Sequence, residues 1–257
     1  MEGKVALVTG AAGGIGAAVA GELCRRGVAV AAVDCDADRL SWTVGKLVAD
    51  GARAEAFSVD VASRAQVEAA VAAVEDRLGP LDFLVNSAGV LRMGEVRDLT
   101  DQDWAETFAV NATGVFLMSR AVAARMTGRR SGAIVTVASN AADTARTQMA
   151  AYAASKAAAT MFTKCLGLEV ARYGIRCNLV APGSTDTPML VGMGVNGDEE
   201  KTSIIDGIPK DYKVGIPLRK LALPSDVADA VVFLLSDHAA HITMHSLTVD
   251  GGATLGG

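Results

Sequence analysis

Apolar residues in this chain gather into short β-branched runs, separated by longer segments in which they recur every three or four positions. The short runs fall at 4–9, 28–33, 53–58, 81–85, 133–138, 175–180 and 247–249. Most are apolar at nearly every position, as strands are when helices cover both faces of a parallel sheet. Helical periodicity fills 15–26, 37–49, 64–78, 101–126, 149–172 and 225–235. Ser63 and Thr100 stand where helix caps belong, and Gly27, Gly79 and Gly174 lie just past helix ends. The alternation predicts an α/β fold: one doubly wound domain over 1–257, with a mainly parallel seven-stranded sheet and helices on both faces. Only 188–218 breaks the rhythm. This Gly- and Pro-containing stretch is longer than an ordinary connection and follows a strand, so it reads as a lid over the carboxyl edge of the sheet.

Composition narrows the setting. Hydrophobic residues make up 51% of the chain, yet no run approaches the roughly 18 apolar residues of a membrane span. A net charge of −5 without any basic run speaks against nucleic acid or an acidic membrane as partner. Cys24, Cys35, Cys165 and Cys177 are scattered and read as reduced thiols. The opening MEGKVALVTG passes directly into a strand pattern without the marks of a signal peptide, and a cytoplasmic protein is expected. His238, His241 and His245 lie close together, but no Cys or carboxylate cluster completes a site; they read as helix-end and loop residues, and no metal is expected.

The first strand runs into TGAAGGIG, Thr9 to Gly16, and then into a helix. Gly10 permits a tight turn, Gly14 lets the backbone approach a pyrophosphate, and Gly16 allows close helix packing. With Ile15 they open a helix whose N-terminus offers amide donors and positive dipole to phosphates. Asp34 closes the second strand, where a carboxylate accepts both ribose hydroxyls and repels a 2′-phosphate. No Arg or Lys directly adjoins it, so NAD is expected over NADP. Asp60-Val61 and Asn86-Ser87-Ala88-Gly89 end the third and fourth strands at the same rim, placed for the adenine amino group and the adenosine ribose.

Ser139 stands thirteen positions before Tyr152, and Lys156 follows Tyr152 by four, on the same helix face. A free phenol titrates near pH ~10. A fixed ammonium and a positively charged cofactor ring would lower that value and make Tyr152 a proton acceptor for an alcohol losing hydride.

Together these motifs resemble the short-chain dehydrogenase/reductase family over the whole chain. TGAAGGIG is similar to its glycine motif, and Asn86 to Gly89 to its Asn-Asn-Ala-Gly motif, with Ser87 departing. Asn111 in FAVNATG, Ser139, Tyr152 and Lys156 match its catalytic tetrad; Pro182-Gly183, with Thr185 and Thr187, matches the segment that holds the nicotinamide amide. The resemblance implies that Tyr152 is the acid/base and Ser139 bonds the reacting oxygen. It also implies that Lys156 tunes Tyr152 and binds the nicotinamide ribose, and that Asn111 holds a proton-relaying water. A homotetramer built on the helices at 101–126 and 149–172 is implied as well.

Longer stretches, among them DWAETFAVN, GAIVTVASNAADTARTQMAAYAASKAA and VDGGATLG, resemble a subfamily that oxidises 2,3-dihydro-2,3-dihydroxybenzoate to 2,3-dihydroxybenzoate with NAD for catechol siderophores. Ala145 stands where that subfamily is expected to carry proline, and Met189 to Gly194 depart from its lid pattern. The 2-amino analogue trans-2,3-dihydro-3-hydroxyanthranilate would use the same chemistry. A general 3-oxoacyl-type reductase is the remaining alternative, disfavoured by Asp34 and the net acidity. A small cyclic carboxylate calls for a guanidinium. Arg146, between Ser139 and Tyr152, is the first choice, and Arg92, beyond the fourth strand, the second.

Overall fold

The computed structural model describes residues 1–256. Seven strands run β1 (Val5–Thr9), β2 (Ala29–Asp34), β3 (Ala54–Ser58), β4 (Phe83–Asn86), β5 (Gly132–Val137), β6 (Ile175–Pro182) and β7 (Ser246–Val249). They form one sheet in the order β3-β2-β1-β4-β5-β6-β7, and every neighbouring pair is parallel. Between and beside them lie α1 (Gly14–Arg25), α2 (Ala37–Ala49), α3 (Arg64–Leu78), α4 (Asp101–Phe108), α5 (Val115–Arg129), α6 (Ala150–Val170), α7 (Pro188–Gly192), α8 (Asp198–Asp206) and α9 (Pro224–Leu235). The winding reverses between β1 and β4, opening a crevice at the carboxyl ends of the strands.

The near-continuous apolar strands are explained by burial on two sides. Side chains alternate across a strand, so Ala6, Val8, Val30 and Ala32 pack with Val19 and Leu23 of α1 and Val227 and Val231 of α9. Val5, Leu7, Ala29 and Ala31 face the opposite way, against Val67 and Val71 of α3 and Met118 and Val122 of α5. Arg176 on β6 donates to the carbonyls of Leu234, Leu235 and Ser236, closing the end of α9 with a cation where the helix dipole is negative.

Three local expectations change. Thr100 caps α4 by accepting from Asp103 N at 3.0 Å, but Ser63 makes no side-chain cap at α3. The turn before α3 is held instead by Asp60 N donating to Gln66 Oε1 and Ala62 N donating to Asp60 Oδ1, both at 2.9 Å. The helix expected over 101–126 is three pieces: α4, a π-helical turn Ala109–Gly114, and α5. The turn sits where Gly114 meets Val61; a Cβ there would lie 2.7 Å from Val61 Cγ2. By length and composition the stretch Asp101–Arg129 could cross a membrane, but here half of its apolar window is buried, and its helices pack on α3, α6, β4 and β5. Third, 188–218 is not irregular. It folds into α7, α8, a 3₁₀ turn Pro209–Asp211 and a single antiparallel bridge between Ile208 and Lys213.

His238 lies in the 3₁₀ turn after α9, and His241 and His245 lie in the loop before β7. Among the described residues no group of three or more His, Cys, Asp or Glu is arranged to hold a metal ion.

Candidate active site

The strand ends surround a cavity of about 450 Å³ that runs from the glycine turn to the 188–218 segment. Its first wall is backbone. Thr9 Oγ1 accepts from Ser87 N and Ala88 N, each at 3.0 Å, and so pins the turn after β1 to the loop after β4. The approach is close enough that a Cβ on Gly10 would stand 2.8 Å from Ala88 N, and one on Gly16 would collide with the Gly10 carbonyl. Helix α1 starts at Gly13 without a side-chain cap, and Gly14, Ile15 and Gly16 line the cavity. Its first amide donors are therefore available to an anion.

Asp34 is fixed at the rim by two amides: Ala12 N donates to Oδ2 at 3.0 Å and Asp36 N to Oδ1 at 3.1 Å. Asp60, Val61, Ala88 and Gly89 continue the wall. Across from the glycine turn lie Pro182, Gly183, Thr185 and Thr187. A Cβ on Gly14 would come within 3.5 Å of Thr187 Cγ2, so the two sides nearly touch. Glycines that hold space open, uncapped amides and a rim carboxylate fit an extended dinucleotide.

At the other end stand Ser139, Tyr152 and Lys156, all buried. Ser139 is extended and starts a 3₁₀ turn, with Ala141 N donating to its Oγ at 3.1 Å. Tyr152 packs against Ala141 and Met149. Lys156 lies one turn further along α6, its Nζ 5.8 Å from the centroid of the Tyr152 ring and donating to the Val137 carbonyl at 2.9 Å. Burial pushes the Tyr152 phenol up, and hydrogen bonding to Ser139 works against that rise. Burial also lowers Lys156 to about 8. In the protein alone, desolvation therefore prevails on Tyr152, and the one opposing influence is Ser139 rather than the Lys156 ammonium expected from the sequence.

Arg146 lines the cavity at this end, half-buried. Three expected residues do not reach the wall. Asn86 turns inward, donating to Ser119 Oγ of α5 at 2.9 Å and Thr136 Oγ1 of β5 at 3.3 Å, and is buried among these polar groups. Asn111 clamps the loop after β4: Val90 N donates to its Oδ1 at 2.8 Å, and its Nδ2 donates to the Val90 carbonyl and to Ser155 Oγ. It remains next to the site, since a Cβ on Gly89 would be 3.4 Å from both Asn111 Oδ1 and Lys156 Nζ. Arg92 points to α4, pairing with Asp103 and Glu106 at 3.7 and 3.3 Å, and stands outside the cavity.

The structure adds residues that sequence reasoning missed. Arg39 lines the adenosine end, and its Nη2 lies 2.7 Å from where a Gly13 Cβ would be. Lys213 reaches the cavity from the 188–218 segment, and Asn140 adjoins Ser139. Asn140 Nδ2 donates to Asp250 Oδ2 at 3.3 Å, which ties the catalytic turn to the chain after β7. Arg39 stands in the first turn of α2, just after Asp34 in the chain, and could have been flagged by that nearness; nothing local flags Lys213.

A dinucleotide cradle at one end and a protonatable phenol at the other are the layout of an oxidoreductase that works with a nicotinamide cofactor. Comparison with known proteins narrows this: residues 4–195 match the short chain dehydrogenase family model, and the chain belongs to that family. It is 56% identical over 258 residues to a 2,3-dihydro-2,3-dihydroxybenzoate dehydrogenase of Bacillus subtilis (strain 168), covering 100% of this chain and 98% of the relative. A protein of the same name from Escherichia coli (strain K12) is 44% identical, with 99% and 98% covered. Among solved structures, levodione reductase superposes with a TM-score of 0.93 at 28% identity, over 99% of each chain.

Proposed function

We propose that this enzyme oxidises 2,3-dihydro-2,3-dihydroxybenzoate to 2,3-dihydroxybenzoate with NAD, in the cytoplasm, as a step toward catechol siderophores. The observation that carries the reading is Arg146: a half-buried cation on the wall that also bears Ser139 and Tyr152, in a chain whose relatives are named for this acid. Arg146 offers two parallel N–H donors to the ring carboxylate and so presents the C3 hydroxyl to Tyr152. Tyr152 takes the hydroxyl proton while Ser139 donates to the same oxygen as charge develops on it. Lys156, one helical turn away, supplies positive charge beside the phenolate. A bound NAD would supply the acceptor for the C3 hydride and a positively charged ring opposing the burial penalty on Tyr152. The resulting enone tautomerises to an aromatic catechol, which makes the net reaction strongly favourable.

Gly10, Gly14, Gly16, Ala88, Gly89, Gly183 and Thr187 would hold the cofactor, and Asp34 would select NAD by accepting the adenosine ribose hydroxyls. Arg39, beside Gly13 on the same wall, is paired with Asp36 at 3.9 Å. The working assembly is a homotetramer, supported by apolar side chains left exposed on α4, α5 and α6: Trp104, Phe116, Met161 and Leu168.

One assay tests the substrate and cofactor together: initial rates with 2,3-dihydro-2,3-dihydroxybenzoate and with trans-2,3-dihydro-3-hydroxyanthranilate, each with NAD and with NADP. The dihydroxy acid with NAD should be fastest. A preference for the amino acid would move the assignment to that substrate, and equal rates with NADP would refute the role of Asp34.

A further inference from the structure

The cavity wall carries two carboxylates and four cations, and one of the cations, Arg39, lies with the carboxylates at the adenosine end. Its two carboxylates, Asp34 and Asp60, follow β2 and β3 at the adenosine end. The rest of the wall carries Lys156, Arg146 and, from the lid, Lys213, and no carboxylate among the described residues. Lys156 is committed to the Val137 carbonyl. Arg146 and Lys213 are both half-buried and have no ion-pair partner among the described residues. The other cations on and beside the lid differ: Lys201 pairs with Asp186 at 3.0 Å, Arg219 pairs with Asp206, and Lys210 and Lys220 are exposed.

The backbone holds Lys213 in place. Ile208 N donates to the Lys213 carbonyl at 2.9 Å, and Lys213 N donates back to Ile208 at 3.2 Å. The glycines on either side have positive φ, 98° at Gly207 and 86° at Gly215, and a Cβ on Gly207 would meet the Lys213 carbonyl at 2.7 Å. This tight pair fixes the backbone of a lid lysine that lines the cavity. With no ion-pair partner among the described residues, this ammonium is left to an anion that enters the cavity.

We infer that Lys213 is a second specificity-determining cation, which with Arg146 forms a two-sided receptor for the substrate carboxylate. Arg146 contributes from the catalytic segment and Lys213 from the lid, so an anionic ring held by both draws the lid onto the site. The inference rests on the cyclic-carboxylate reading above. Arg146 supplies the planar, orienting contact and Lys213 a point charge. The anion favours the closed lid only by the extra contact it gains there.

The test is calorimetric binding of 2,3-dihydroxybenzoate and of catechol to the enzyme saturated with NADH, in the wild type, Lys213→Met, Lys213→Arg and Arg146→Ala. Hydrogen exchange of 198–216 is followed alongside. Lys213→Met should weaken the acid roughly tenfold or more, leave catechol unchanged, and abolish the slowing of lid exchange that the acid causes. Lys213→Arg should recover most of the affinity. If Lys213→Met shifts both ligands equally, or neither, the inference is overturned while Arg146→Ala can still uphold the carboxylate reading. Wild-type enzyme that binds the acid no better than catechol would sink that reading, and the inference with it.

Discussion

Lys156 shows most directly what the site demands of the fold. Its ammonium is buried with one carbonyl for company, and burial lowers it to about 8 from 10.5. Below pH 8 the folded protein carries this charge at a constant penalty, about 3 kcal/mol by proton linkage. Between pH 8 and 10.5 the unfolded chain keeps a proton that the folded one has shed, so the Lys156 contribution to stability rises with pH. Cys24 and Cys177, raised by burial to about 11 and 12, and Tyr152, also raised, act the opposite way at high pH. Those groups are shared with Lys156→Met, so the difference between the two proteins isolates the lysine. Urea unfolding should show the variant's relative advantage greatest below pH 8 and shrinking toward pH 10. A difference that does not vary with pH would contradict the buried charge.

Elements carry both the legible and the illegible parts of the chain. The parallel strands are readable because burial on both faces makes them apolar throughout, as in Leu7 and Val8 on β1. The π-helical turn at Ala109–Gly114 is hidden, because its cause is Gly114 meeting Val61 and Asn111 clamping Val90, both contacts from distant chain. Helix α8 buries no residue and α7 has only five, so neither imposes a helical pattern on 188–218. For the same reason Lys213 could not be found locally, while Arg92, plausible by position, is taken by Asp103 and Glu106 of α4. The outward faces of α5 and α6 meet through an edge-on contact of Phe116 with Phe162, and leave Met161 and Leu168 exposed. A charge there would be desolvated on assembly. In the proposed tetramer, Met161→Glu with Leu168→Glu should therefore lower the sedimenting mass to that of a smaller species. Unchanged mass would place the interface elsewhere, and a monomeric wild type would remove it.

Across the whole molecule, one crevice collects the ends of strands that are far apart in sequence. The β1 turn and Asp34 make a cradle, while Ser139, Tyr152 and Lys156 wait at the far end, roofed by 188–218. We propose that this crevice removes a proton through Tyr152 as hydride leaves the dihydroxy acid for NAD. The most direct test is NADH formation from 2,3-dihydro-2,3-dihydroxybenzoate by wild type and Tyr152→Phe, with NAD binding measured on both. Wild type should turn over and Tyr152→Phe should fall by roughly a thousandfold, with NAD affinity little changed. Substantial turnover by Tyr152→Phe, or none by the wild type, would contradict the account.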